Sequence, residues 1–169
     1  MSRIFLAVCV VAGLLAEPAA AANAYIKGFI QVRHAVTRAT PPGAEVAAGY
    51  LEVRNTGKEA DRIIGASTPA AARVELHTTA LEGGVMKMRE VKTFEVPAKK
   101  RLELKSGGSH LMLVGLRKPF VKGQRIPLTL HFERGGDLHV ELVVHAAGAP
   151  KAHQSLSAGA LSGSVISEW

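Results

Sequence analysis

Two histidines and two methionines stand at a spacing that could build a soft-metal site: His77, Met88, His110 and Met112, separated by ten, twenty-one and one residues. Thioether sulfur and imidazole nitrogen are soft to borderline donors, and four of them around one ion favour Cu(I) over hard, oxygen-seeking cations. All four are neutral, so the ion's charge stays uncompensated. Such a site should release its ion more readily than a dithiolate would.

The elements that carry these residues read as β-strands, in which side chains alternate between two faces. From Ser109 to Val114, Leu111 and Leu113 share one face and His110, Met112 and Val114 the other. If the leucines enter the core, His110 and Met112 point outward together, roughly 7 Å apart along the strand. Upstream, Val74 and Leu76 form an inward face and Arg73, Glu75 and His77 the opposite one, with His77 at the outer end of its strand. Met86 and Met88 alternate with Lys87 and Arg89, and parity leaves open whether these methionines face a core or a metal. Beyond Met1, every methionine falls between Met86 and Met112, a clustering that gap-filling core methionines would not show.

Short alternating runs broken by Gly, Pro and Asn recur from Tyr25 to His145 and predict an all-β domain. Strands are expected over residues 27–36, 47–55, 62–67, 73–78, 86–94, 101–105, 110–115, 125–133 and 138–145. Thr40-Pro41-Pro42-Gly43 and Asn55-Thr56-Gly57 are turn sequences. Glu82-Gly83-Gly84, Ser106-Gly107-Gly108 and Gly135-Gly136-Asp137 each read as a hairpin or corner. After Ala146 the composition turns to Ala, Gly and Ser, so residues 148–169 are expected to form a flexible tail ending in Trp169, the chain's one tryptophan.

The N-terminus reads as an export signal over residues 1–22: Arg3 supplies the positive charge, residues 4–15 the apolar stretch and Ala20-Ala21-Ala22 the small-residue cleavage site. About a dozen apolar residues are too few to span a bilayer, which needs roughly 20. The mature protein is expected to begin near Asn23, or less favourably at Tyr25. Cys9 lies within the apolar stretch, too early for a lipoprotein cysteine. The mature chain then has no thiol, which suits an oxidising compartment and excludes a blue-copper centre, an iron–sulfur cluster and a cysteine nucleophile.

Residues 23–147 suffice for one domain with one core. The formal charge of +7 is spread along the chain, with Lys99-Lys100-Arg101 the one run of three cations, best read as a solvated turn. Nucleic acid is not an expected partner. Nothing resembles a nucleophile elbow, a phosphate loop or a dinucleotide fingerprint, so no enzymatic activity is expected.

The four-residue pattern resembles that of the periplasmic copper chaperones of the PCuAC type, which bind Cu(I) through His-x10-Met-x21-His-x-Met. The likeness extends to Ala47-Ala48-Gly49-Tyr50, to the segment from Ala70 to His77, to Glu82-Gly83-Gly84-Val85-Met86 and to the segment from Gly108 to Leu113. It implies a cupredoxin-like Greek-key β-barrel with a shallow site for one Cu(I) ion. It also implies a periplasmic protein that delivers copper to a receiving protein, such as a cytochrome c oxidase subunit or another assembly factor. The chain departs from the family where many relatives carry Met or His two residues after the first ligand, here Thr79, and where they carry tryptophan, here Val36.

The remaining histidines allow two further metal sites. With Gly135-Gly136-Asp137 as a hairpin loop, His131 would face Glu141 and His139 would face Glu133, a cluster that cross-strand charge pairing explains without a metal. His153 on the tail could add a Cu(II) ligand. The alternative to a copper protein is a metal-free β-sandwich adhesion module whose methionines belong to the core.

Overall fold

The computed structural model describes residues 24–148. The expected signal segment, Cys9, His153 and Trp169 lie outside these residues.

The described chain is all β: β1 (Tyr25–Lys27), β2 (Ile30–Arg38), β3 (Val46–Asn55), β4 (Asp61–Ser67), β5 (Ala71–Glu82), β6 (Val85–Glu90), β7 (Phe94–Val96), β8 (Arg101–Leu104), β9 (His110–Leu116), β10 (Arg125–Phe132) and β11 (Gly136–His145). Seven strands close a barrel in the order β2-β11-β10-β4-β5-β9-β3, with β3 returning to β2. The β2–β11 contact is parallel and the other barrel contacts are antiparallel. Short strands decorate this frame, β1 on β2, β8 on β3, β7 on β4 and β6 on β5. Closure leaves the barrel itself without free edges.

Alternation builds the core as the sequence predicts. Along β11, Leu138, Val140, Leu142 and Val144 are buried between outward Asp137, His139 and Glu141. Leu111 and Leu113 of β9 are fully buried, as are Leu130, Leu142 and Ile63 of the same core. Burial of each such side chain is worth about 1.5–3 kcal/mol relative to exposure.

The observed strands differ from the expected ones in four places, each for a local reason. Gly28, at φ 57°, turns the chain so that β1 folds back on β2 where one strand was expected. His34 adopts φ 51° where the β2–β3 register shifts between Arg33 and Val36. This bulge carries the inward set from Ile30 and Val32 over to Ala35 and Thr37. The expected strand over 86–94 is two strands, β6 paired with β5 and β7 paired with β4. β5 also runs on to Glu82, so His77 is not at its outer end. Gly83 and Gly84, both at positive φ, close a two-residue hairpin of the type that matches strand twist. β5 and β6 therefore form an arm, and every residue of β6 is exposed.

Candidate metal centre

Directly paired residues of antiparallel strands present their side chains on one face of the sheet. His77 pairs with His110 on β9 and with Glu90 on β6, Glu75 pairs with Met112, and Thr79 pairs with Met88. All four residues of the His/Met pattern therefore lie on one face of the β6-β5-β9 sheet, opposite the leucines that fill the barrel. On β3, Ala48 pairs with Met112, which puts Tyr50 on the same face beside His110. A row then runs across the sheet: Val36, Tyr50, His110, His77 and Glu90.

The two imidazoles are close, with ring centres 5.8 Å apart and planes inclined by 53°. A metal lies about 2.0–2.1 Å from a ligating imidazole nitrogen, hence roughly 3 Å from the ring centre, so two rings on one ion lie at most about 6 Å apart. The observed separation falls within that limit.

Hydrogen bonds leave one lone pair on each ring. His77 Nε2–H donates to Glu75 Oε2 at 2.9 Å, and His77 Nδ1 is buried without a hydrogen-bond partner among the described residues. His110 Nδ1–H donates to the Gly108 carbonyl at 3.0 Å, leaving Nε2 as the acceptor. Fixing one nitrogen of a histidine through a carboxylate or carbonyl is how metal sites orient the other. An unpaired nitrogen in a buried position otherwise costs free energy.

Glu75 is itself held. Arg73 Nε donates to Glu75 Oε1 at 2.6 Å. This bond first, and that from His77 second, hold the Glu75 carboxyl below its ordinary range. The carboxylate therefore stays charged and keeps accepting from His77. Sequence parity put Glu75 on the face of His77 but did not reveal this contact, although an acid two residues before a histidine on a strand is a spacing that allows it.

His110 departs from expectation. Parity placed it outward, and it does lie off the core face, yet it is only 4% exposed. Tyr50, at 6.4 Å between ring centres, and His77 cover it on either side. Tyr50 belongs to a segment that resembles the family, but nothing in that segment's own pattern marks it as a neighbour of His110. Met112 is half-buried next to His110.

Met88 stands apart. It lies one strand over from His77 and two residues toward the arm tip, whereas Met112 lies one strand over on the other side and two residues toward the arm base. In a flat sheet this diagonal would separate their Cα atoms by roughly 16 Å, from the spacing and rise of strands. Two methionines that far apart reach one ion only if the arm bends over the face. Met88 is 51% and Met86 55% exposed, so neither belongs to the core, and the premise of the adhesion reading fails for both.

The His131 cluster has a register other than the one expected. The hairpin loop is 133–135, so His131 pairs with Asp137, His139 with Thr129, and Glu141 with Pro127. His131 Nδ1 bonds Asp137 Oδ1 at 2.7 Å and its Nε2 bonds Ser67 Oγ at 3.0 Å, tying β10 to β11 and β4. His139 Nδ1 bonds the Thr129 hydroxyl at 2.9 Å. Among the described residues, no group of three or more His, Cys, Asp or Glu side chains is placed to hold a metal.

Comparison with known proteins gives one consistent answer. The profile of the family described as "Putative lipoprotein LpqE-like" matches residues 30–144. "Putative lipoprotein Lxx21020" of Leifsonia xyli subsp. xyli (strain CTCB07) is 39% identical over 116 residues, 68% of this chain and 69% of that protein. The solved copper-bound PCuAC domain from PmoF2 superposes with a TM-score of 0.65 at 27% identity, covering 74% of this chain and 99% of that domain. The solution structure of Cu(I)-bound DR1885 from Deinococcus radiodurans gives a TM-score of 0.57 at 32% identity, covering 75% of this chain and 83% of that one. With its cupredoxin-like barrel and a profile match over most of its length, the chain belongs to the LpqE-like family, which is the PCuAC family.

Proposed function

We propose that this protein is a copper carrier of the cell envelope that binds one Cu(I) ion and passes it to a receiving protein by ligand exchange. The supporting observation is the pair His77 and His110, directly opposed on neighbouring strands, each with one nitrogen hydrogen-bonded and the other left as a lone pair. Met112 adds a thioether beside them, and Met88 adds the fourth ligand when the arm folds over. The copper-bound relatives support the choice of metal.

A soft, neutral donor set accounts for the oxidation state, since Cu(II) prefers harder nitrogen and oxygen ligands. The role is transport rather than catalysis. The chain's resemblance to periplasmic copper chaperones favours an exported periplasmic protein and a cytochrome c oxidase subunit or another assembly factor as recipient. Anaerobic titration with Cu(I) against a competing chelator tests the assignment. One ion should bind tightly, and His110→Ala and Met112→Ala should each lose that binding; unchanged affinity in both variants would rule the site out.

A further inference from the structure

The four-ligand pattern leaves one methionine unused. Met86 pairs with Leu81 and Met88 with Thr79, so both thioethers occupy the face that carries His77, with Met86 one alternation further toward the arm tip. Neither fills a gap in a core, since both are about half exposed. The opposite face of the arm is charged: Glu82 bonds Arg89 at 2.6 Å and pairs with Lys87 at 3.5 Å. The arm thus separates a side that carries the two thioethers from one lined with ion pairs. The thioether side leads to the histidine pair, with Glu90 opposite His77 at its base.

From these placements we propose that Met86 is a transfer ligand, a second copper-contacting position at the outer lip of the site that holds the ion in transit. This inference rests on the copper-carrier reading. Residues two apart on a strand stand roughly 7 Å apart, close enough for Met86 and Met88 to share one ion. His77, His110 and Met112 lie further toward the base. An ion held there is shielded by Tyr50 and the neighbouring rings, and an incoming partner meets the exposed arm first. In transfer, the bonds from copper to the two imidazoles and Met112 break as bonds to Met86 and to a first partner thiolate form while the bond to Met88 persists, and the bonds to Met86 and Met88 then break as the second partner thiolate binds. The ion stays Cu(I) throughout, no electron moves, and both partner thiolates arrive deprotonated. A partner offering a pair of cysteine thiolates fits, because thiolate outcompetes thioether for Cu(I).

The test uses the exported protein loaded with one equivalent of Cu(I), and a synthetic peptide with a Cys-x-x-Cys pair as acceptor, with transfer followed by copper–thiolate absorbance. Met86→Leu keeps shape and removes sulfur. It should leave the Cu(I) dissociation constant within about twofold while slowing transfer about fivefold or more, a change confined to rates. Equal transfer rates would overturn the proposal. So would an affinity loss of about tenfold, which would make Met86 a resident ligand. Failure of the copper-carrier reading looks different: the methyl resonance of Met112 in unmutated protein labelled with [13C-methyl]methionine would not respond to Cu(I).

Discussion

The Glu75 carboxylate accepts a hydrogen bond from His77 Nε2–H at 2.9 Å, and the nitrogen across that ring, Nδ1, is buried and unpartnered. One contact thereby selects the tautomer and leaves an unpartnered nitrogen on a residue of the sheet face shared with His110 and Met112. Outer-sphere partners of this kind typically change metal affinity by about 10- to 100-fold when removed. Glu75→Ala is therefore expected to weaken Cu(I) binding by about that factor. Glu75→Gln, whose amide oxygen can still accept, should lose less. Nitrogen-15 NMR of the imidazole reports the tautomer directly, and an unchanged His77 tautomer in Glu75→Ala would refute the assignment.

How far these relationships were legible in the sequence depended on their range. Alternation in His110-Leu111-Met112-Leu113 and in Val74-Glu75-Leu76-His77 separates the core face from the face that carries both histidines and Met112, because period-two patterning is a local property. Which strands would lie side by side is a non-local matter, and nothing in either segment says that His77 faces His110 across one ladder. The burial of His110 under Tyr50 depends on a third strand, and so was invisible from parity. The hairpin after β10 went wrong for a different reason: Gly135-Gly136-Asp137 looked like the loop, but Asp61 accepts from the backbone amides of Arg134 and Gly135 and draws the turn two residues earlier.

Tyr50 covers His110, so opening that cover should expose the site without removing a ligand. Tyr50→Ala is expected to speed copper loss to a soluble chelator, whereas Tyr50→Phe, which keeps the ring, should behave as the unmutated protein does. Stopped-flow chelator capture distinguishes the two. Equal rates in Tyr50→Ala and Tyr50→Phe would remove Tyr50 from the site.

Asp137 lends itself to a pH test. Its hydrogen bond from His131, aided by the nearby charges of Lys27 and His139, lowers its pKa below the ordinary 3.8. A carboxyl depressed on folding stabilises the native state above its unfolded pKa, and that contribution is lost as pH falls through the folded value. Asp137→Asn should therefore be less stable than the unmutated protein near pH 6, with the gap closing below the ordinary carboxylate range. Urea midpoints measured from pH 6 to pH 2.5 follow this. A gap that widens on acidification would contradict the sign.

Gly115 is a backbone requirement within β9, the strand that carries His110 and Met112. It sits at φ 70°, and a Cβ there would lie 2.8 Å from the Ala72 Cβ on β5. Both the left-handed conformation and the clash penalise any other residue, so Gly115→Ala should lose about 1–3 kcal/mol of stability. Denaturant unfolding measures this. A neutral Gly115→Ala would show that β9 can move away from β5 at that end.

The two pattern methionines should not be equivalent. Met112 is half-buried on β9, one alternation from His110, so it can approach the histidine pair without movement of the arm. Met88 lies on the exposed arm, across His77 from Met112, and bringing its sulfur to the same ion orders a two-stranded element that otherwise stands in solvent. That ordering offsets part of the bond it forms, since restricting backbone costs roughly 1–2 kcal/mol per residue fixed. Met112→Leu is therefore expected to reduce Cu(I) affinity more than Met88→Leu, and Met88→Leu should chiefly raise the dissociation rate. Cross-linking the arm in a bent position should narrow the difference, because the ordering is then completed before copper arrives. Equal losses in the two variants would instead mean that the arm already lies over His77 before copper binds, and hydrogen exchange of the β6 amides, fast in an open arm and slowed in a closed one, would separate these cases.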